Sequence, residues 1–301
     1  MKMNRYHTMI MILVSVLLLT SCTNTQTTVN DGSSSDLLIV TSFYPMYVFT
    51  MNIVGETEGV SIVNMTSPQT GCLHDYSLRP SDLKILEEAD VFVINGGGME
   101  SFLEKVLKQY PDLVVIEATK DIPLLKDDHG EFNPHVWVSV NGAIDEVKQI
   151  TKQLIDAEPV QSKEFQKNSD IYVKSLEELS ETMHKNLMPF SGMPIVTFHE
   201  AFPYFAQEFN LEIAAVIERE PGSEPGAGEL ADTINIIRDK GVKALFAEPQ
   251  YAPKAAEAIA NETGSVVYSL DPFVTGSVDD PIDRYQTIML QNMNTLMKAL
   301  Q

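Results

Sequence analysis

The sequence predicts an α/β protein of two lobes, each a small parallel four-stranded sheet flanked by helices, joined by one long rigid backbone helix. Three observations carry this. Short apolar runs alternate with amphipathic stretches between residues 37 and 158, a stretch of helical periodicity without Gly or Pro fills residues 160–188, and the alternation then resumes to the C-terminus.

In the first lobe the strand candidates are LLIVTSF, VSIVNM, DVFVIN and LVVIE, each a short run rich in Val and Ile. Helical stretches separate them near Pro45 to Val54, Asp82 to Ala89 and Glu100 to Gln109, and another follows from about Asn141 to Ile155. Gly96 to Gly98 fall between a strand and a helix, but without Lys-Ser/Thr or the GxGxxG spacing they read as a tight turn, not a phosphate loop. From Val160 to Met188, Phe165, Ile171, Tyr172, Leu176, Leu179, Met183 and Leu187 recur near helical spacing. One helix of about 28 residues, roughly 40 Å long, is expected there, joining the lobes and restricting their hinge. Pro189, Gly192 and Pro194 end it, and PIVTF, EIAAVI, KALFAE and SVVYSL lead on to a last helix from Asp283 to Leu300.

The N-terminus carries a different signal. Lys2 and Arg5 precede an apolar run from Met9 to Leu19, too short to span a bilayer, and LLLTSC follows. Residues 1–21 read as a signal peptide and Cys22 as a lipidated first residue of the mature chain, fixing it to the extracytoplasmic face of a cell membrane. Residues 22–36, rich in Ser, Thr and Asn, form a flexible tether. The expected domains are then a first lobe at 37–159, a linking helix at 160–189 and a second lobe at 190–301. With Cys22 acylated, Cys72 has no partner for an internal disulfide.

Composition narrows the partners. Of 301 residues 44% are hydrophobic, enough for two cores, and the formal net charge is −21. A polyanion would be repelled, which excludes nucleic acid, whereas a divalent cation suits such a field. Four distant segments each place one metal-competent side chain in a loop: His74 in HDYSLRPSD, His135 in NPHVW, His199 in TFHEAF and Asp271 in SLDPF. Three neutral imidazoles and a carboxylate are what a tetrahedral zinc site uses. His74, His199 and Asp271 follow strand candidates, where open α/β sheets bind ligands, so a cleft between the lobes is the expected meeting point, with two ligands from each lobe. Glu248 in FAEPQ is a candidate cleft-lining partner of a ligand imidazole, and His129, among Asp127, Asp128 and Glu131, a candidate metal collector. Trp137 reads as packing that fixes the His135 loop. Binding needs deprotonated imidazoles, so metal affinity should fall as pH drops through the histidine range near 6.5.

These segments resemble, in order, the motif blocks of the zinc-uptake ABC transporter substrate-binding lipoproteins of the cluster A-I type. HDYSLRPSDLKILEEADVFVINGGGMESFL, NPHVWVSV, TFHEAFPYFAQEFNL, FAEPQYAPKAAEAIANETG and SLDPF are each similar to one block, and the likeness runs from Leu37 nearly to the end. The resemblance implies a monomeric, lipid-anchored binding protein that captures Zn2+ through His74, His135 and His199, with Asp271 at the carboxylate position, and delivers it to an ABC permease. It also implies departures. Asn133 stands where an Asp is usual, which is expected to weaken support of the nearby imidazole; the acidic His-rich loop is cut to KDDHGEF; a second-lobe disulfide is absent; and Cys72, two residues before His74, invites a thiolate contact. Related manganese and iron binders tend to carry Glu where His199 stands, so three imidazoles favour zinc. Glu200, adjacent, is expected to point elsewhere. A manganese- or iron-binding homologue and a surface adhesin are the alternatives; an enzyme is not expected, because no HExxH or Ser-His pairing appears and Asp271 would close the coordination position that a hydrolase keeps open.

Overall fold

The computed structural model describes residues 36–126, 130–217, 226–250 and 254–301. The proposed signal peptide, Cys22, the tether and His129 lie outside these residues. Residues 36–301 form one compact unit.

Two parallel sheets organise that unit. The first contains β1 (Leu37–Thr41), β2 (Val60–Asn64), β3 (Val91–Ile94) and β4 (Val114–Glu117) in the order β2-β1-β3-β4, with Ile39 paired to both Ile62 and Val91. The second repeats the plan with β5 (Pro194–Thr197), β6 (Glu212–Val216), β7 (Ala244–Ala247) and β8 (Val266–Ser269) in the order β6-β5-β7-β8. All strand pairs are parallel. The central strands β3 and β7 are buried at every residue, as expected of VFVI and ALFA covered on both faces, whereas β2 alternates between half-buried and exposed at the sheet edge. In each sheet the chain begins inside, goes to one edge and returns past its starting strand. The loops after β1 and β3, and after β5 and β7, therefore part on opposite sides, which opens a crevice at the carboxyl end of each sheet.

Helices α1 (Tyr44–Val54), α2 (Pro80–Glu87), α3 (Leu103–Gln109) and α4 (Val140–Ala157) belong with the first sheet, and α6 (Pro203–Glu208), α7 (Ala227–Lys240) and α8 (Lys254–Thr263) with the second. Helix α3 begins three residues later than the periodicity predicts. Glu100 is the reason: its buried carboxylate accepts hydrogen bonds from Ser42 Oγ at 2.8 Å and from the Asn95 and Gly96 amides at 2.9 and 3.0 Å. It thus holds the Gly96–Gly98 turn instead of opening the helix. All three glycines there have positive φ, and a Cβ on Gly96 would overlap the Glu117 side chain.

Helix α5 (Ser162–Leu187), 26 residues long, packs against α1, α4 and the C-terminal helix α9 (Arg284–Ala299). Phe165, Tyr172, Leu176, Leu179, Met183 and Leu187 are buried along one stripe. Ile171, expected on that stripe, is 63% exposed: Tyr172 and Phe165 already define the inward face, and Ile171 projects one residue's rotation away from it. Among the described residues no helix is long and apolar enough to cross a membrane.

Candidate metal centre

The segment that carries His74 is fixed at both ends. Leu73 is fully buried and its amide meets Met99 Sδ at 3.3 Å, while Cys72 and His74 on either side of it are half-buried. Further along, Asp82 accepts hydrogen bonds from the Arg79 amide at 2.8 Å and from Tyr76 Oη at 2.6 Å, which caps α2 and closes the loop. Arg79 and Tyr76 hold the Asp82 carboxyl below its ordinary range despite the opposing effect of burial, the largest single influence on it.

His135 enters from the loop between β4 and a single 3-10 turn at Val136–Val138. Trp137, wholly buried, anchors this loop by donating from Nε1 to the Pro272 carbonyl at 2.8 Å, and its own carbonyl accepts from Tyr285 Oη at 2.8 Å. The expected role of Trp137 in fixing the loop is therefore met across the lobes. Asn133 Oδ1 lies 3.0 Å from both His135 N and His135 Nδ1. With Nδ1–H donating to that amide oxygen, Nε2 carries the lone pair. The support expected to suffer from Asn in place of Asp is thus retained in form, with a neutral acceptor. Asn133 is itself held by Tyr204, whose hydroxyl donates to its carbonyl at 2.7 Å and accepts from the Leu125 amide at 2.8 Å. Sequence reasoning did not find Tyr204; its only signal was its place in the FPYF run after His199.

His199 follows β5 after a single residue, Phe198. Its Nδ1 lies 3.0 Å from Glu248 Oε1, both side chains are buried, and Gln250 Nε2 donates to the other Glu248 oxygen at 2.6 Å. With Nδ1 engaged, His199 Nε2 is buried and makes no hydrogen bond among the described residues.

These three imidazoles converge. His74 Nε2 and His135 Nε2 are 3.4 Å apart, and the ring centroids are separated by 5.2 Å for His74–His135, 4.9 Å for His135–His199 and 6.5 Å for His74–His199. A tetrahedral ion with nitrogen ligands at 2.0–2.1 Å has nitrogen–nitrogen edges of about 3.4 Å. Cys72 Sγ joins the group, 3.7 Å from His135 Nε2, and one donor atom from each of the four residues lies within 4.8 Å of the others. Asp271 does not join it among the described residues. Its Oδ1 accepts from the Phe273 amide at 2.8 Å, which caps the turn at Pro272, and it lines a separate cavity with Gln69, Gln250 and Arg284. Three donors therefore come from the first lobe and one from the second, not two from each. A cavity of about 450 Å³ opens beside the imidazoles, bordered by Gly97, Gly98 and Glu200. Glu200, expected to point elsewhere, lines this cleft.

Burial sets the protonation of His74 and His135. His74 is lowered from 6.5 to about 4, first by loss of hydration and then by the neighbouring His199, with Asp75 opposing. His135 is pushed well below the ordinary range by burial and then by His199 and His74. At neutral pH these rings are bases with free lone pairs, ready for a cation and penalised for holding protons.

Two parallel-sheet lobes with a buried nitrogen-rich cluster between them define a two-lobed α/β binding protein of metal-competent type. Residues 39–299 match the family described as zinc-uptake complex component A, periplasmic (ZnuA), and the chain belongs to this family. It is 30% identical over 94% of both chains to the high-affinity zinc uptake system protein ZnuA of Bacillus subtilis. Among solved structures, the SBP FpvC of Pseudomonas aeruginosa in complex with Mn2+ is similar at a TM-score of 0.79 and 30% identity, covering 88% of this chain and 98% of that one. Zn(II)-bound AdcA of Streptococcus pneumoniae is similar at a TM-score of 0.76 and 28% identity, covering 88% of this chain and 58% of that one. The chain thus spans little more than half of AdcA.

Proposed function

We propose that this protein is an extracytoplasmic receptor that captures Zn2+ between its lobes and hands it to an ABC permease. The observation that carries the reading is the convergence of His74, His135 and His199, with two Nε2 atoms at the 3.4 Å edge of a tetrahedron and the third, on His199, buried without another partner among the described residues. Nitrogen donors favour zinc over manganese, because manganese gains more from carboxylate and water oxygens. The zinc named in the B. subtilis relative and in the AdcA structure supports this ion over the manganese of the FpvC complex.

In this reading residues 1–21 are removed, Cys22 carries the lipid, residues 22–36 tether the protein to the outer face of the cell membrane, and the lobes at 37–159 and 190–301 flank the helix at 160–189. The monomer acts as carrier, and Zn2+ is its cargo. Asn133 and Glu248 orient His135 and His199 by accepting their Nδ1 protons, and His129 collects metal ahead of the cleft.

Chelator-competition titration of the wild type and of His135→Ala tests the ligand set. One tightly held Zn2+ per chain, weakened at least about 100-fold by the substitution, is expected, since even an outer partner of a metal ligand is worth about 10- to 100-fold. Equal affinity in the two proteins would overturn the assignment. Growth of a deletion strain under zinc limitation tests the transport role, and zinc-independent growth would refute it.

A further inference from the structure

Resting on that zinc reading, we propose that the fourth donor is the thiolate of Cys72, so that the centre is one sulfur and three nitrogens.

The geometry of the cluster leads there. For a tetrahedral zinc with a metal–sulfur bond of about 2.3 Å and metal–nitrogen bonds of about 2.0–2.1 Å, the sulfur–nitrogen edge is about 3.6 Å. Cys72 Sγ stands 3.7 Å from His135 Nε2, beside a nitrogen–nitrogen edge of 3.4 Å. Two edges of the polyhedron are therefore already formed by these side chains. The buried Nε2 of His199, which has no hydrogen-bond partner among the described residues, is an independent sign that a ligand belongs at the centre, and a His199 ring nitrogen falls in the same group of four within 4.8 Å.

The local fold makes the position reproducible. Gly71 adopts a φ of 81°, Leu73 is buried, and Cys72 and His74 flank it, both half-buried. A C-x-H segment anchored by its middle residue presents sulfur and imidazole together.

Charge balance calls for one anionic fourth donor, and position gives that place to the thiolate, because Cys72 lies in the cluster whereas Asp271 lines a separate cavity. A divalent ion, one thiolate and the buried Glu248 carboxylate paired with His199 sum to zero, so the dry side of the centre carries no uncompensated charge. Asp271 faces that other cavity and its Oδ1 caps the Phe273 amide. On binding, the thiol proton of Cys72 leaves to solvent as the metal–sulfur bond forms, without any redox change. A sulfur donor also sharpens selectivity: Zn2+, Co2+ and Cd2+ gain from it, whereas Mn2+, which prefers oxygen, does not.

Zinc-edge X-ray absorption of the reduced, zinc-loaded full protein tests this directly. One sulfur scatterer at about 2.3 Å beside nitrogen scatterers at about 2.0–2.1 Å is expected, replaced by a shell of nitrogen and oxygen alone in Cys72→Ser. In parallel, the Co2+-loaded wild type should show a near-ultraviolet thiolate-to-cobalt charge-transfer band that Cys72→Ser lacks, and the variant should bind Zn2+ at least about 10-fold more weakly. A wild-type spectrum with bound zinc and no sulfur scatterer would overturn the thiolate while leaving the three-imidazole receptor standing. Failure of the wild type to retain zinc at all would overturn both. Because the scattering measurement needs only the wild type, a misfolded variant does not weaken the test.

Discussion

His199 Nδ1 and Glu248 Oε1 stand 3.0 Å apart where the loops leaving β5 and β7 diverge, so the one second-lobe imidazole of the cluster is held by a carboxylate from the neighbouring strand. This is the switch point of the second sheet, where the two loops are forced apart and a cation can enter. A carboxylate there makes the imidazole a better donor and fixes Nε2 as its metal-facing atom. Glu248→Gln keeps an acceptor of the same shape but removes the charge. Zinc affinity is expected to fall about 10-fold, toward the lower end of the 10- to 100-fold range for such partners, with the thermal midpoint of the metal-free protein little changed. Chelator competition and a thermal melt measure the two; unchanged affinity would show that the pair serves packing only.

The pH at which zinc is released should lie well below the 6.5 suggested by composition. Burial lowers His74 to about 4 and holds His135 well below its ordinary range, so protons compete for these nitrogens only in acid. The sign for stability follows from the same shifts. A histidine lowered in the folded state binds fewer protons than the unfolded chain, so its contribution is complete above about pH 6.5 and is lost as pH falls toward 4. For His74 the shift from 6.5 to about 4 corresponds to about 3 kcal/mol. The metal-free protein should therefore lose stability between pH 6.5 and 4, and zinc-loaded protein should hold its ion at pH 6. Zinc half-released at pH 6.5 in a titration would contradict this.

Asn133 and His135 provide a graded test of the same site. Asn133→Asp supplies an anionic acceptor to His135 Nδ1 at a position where an amide oxygen now sits 3.0 Å away, and zinc affinity is expected to rise several-fold. Asn133→Ala removes the acceptor and frees the Glu200 carbonyl that Asn133 Nδ2 reaches at 2.8 Å, and affinity should drop about 10- to 100-fold. Competition titrations that place the three proteins in the order Asp, Asn, Ala would support the tautomer argument, and any other order would refute it.

What the sequence revealed and what it hid divides along a physical line. Periodicity is local, so the eight strands, the long helix and the loop placement of His74, His135 and His199 were legible from spacing and strand ends. Relationships between distant residues were not. Glu100 reads as the start of a helix until its carboxylate is seen gathering the Ser42 hydroxyl and the Asn95 and Gly96 amides. Asp271 carries the right chemistry in the right kind of loop, yet its oxygen caps its own turn, an option that an Asp-Pro pair leaves open. Cys72 suggested a thiolate contact only through its place two residues before His74, because nothing local states that Sγ ends 3.7 Å from an imidazole 63 residues away.

Ile171 and Leu176 separate apparent from real core positions on α5. Leu176 is fully buried, so Leu176→Ala should cost about 2–5 kcal/mol, whereas Ile171, 63% exposed, should tolerate Ala within about 0.5 kcal/mol. Urea unfolding of the metal-free proteins measures both. Comparable losses would place Ile171 on the packed stripe after all.

Metal removal should change the shape of the protein little. The lobes are joined by α5 and also by direct polar bonds that do not involve the cluster: Trp137 Nε1 to the Pro272 carbonyl, Tyr285 Oη to the Trp137 carbonyl, Tyr44 Oη to Asp280 and Asn52 Nδ2 to the Ile282 carbonyl. Each is worth about 0.5–1.5 kcal/mol, and opening the cleft widely would break several at once while exposing Phe49, Phe273 and Tyr285, whose rings pack edge to face. The segments around residues 70–79 and 198–203 take part in none of these four bonds, and zinc adds a tie between their imidazoles. Hydrogen exchange should therefore rise in those segments on adding a chelator, while the radius of gyration from X-ray scattering stays constant. A domain swing visible in scattering would show that these bonds yield, and Trp137→Phe, which removes one of them, should then widen the swing.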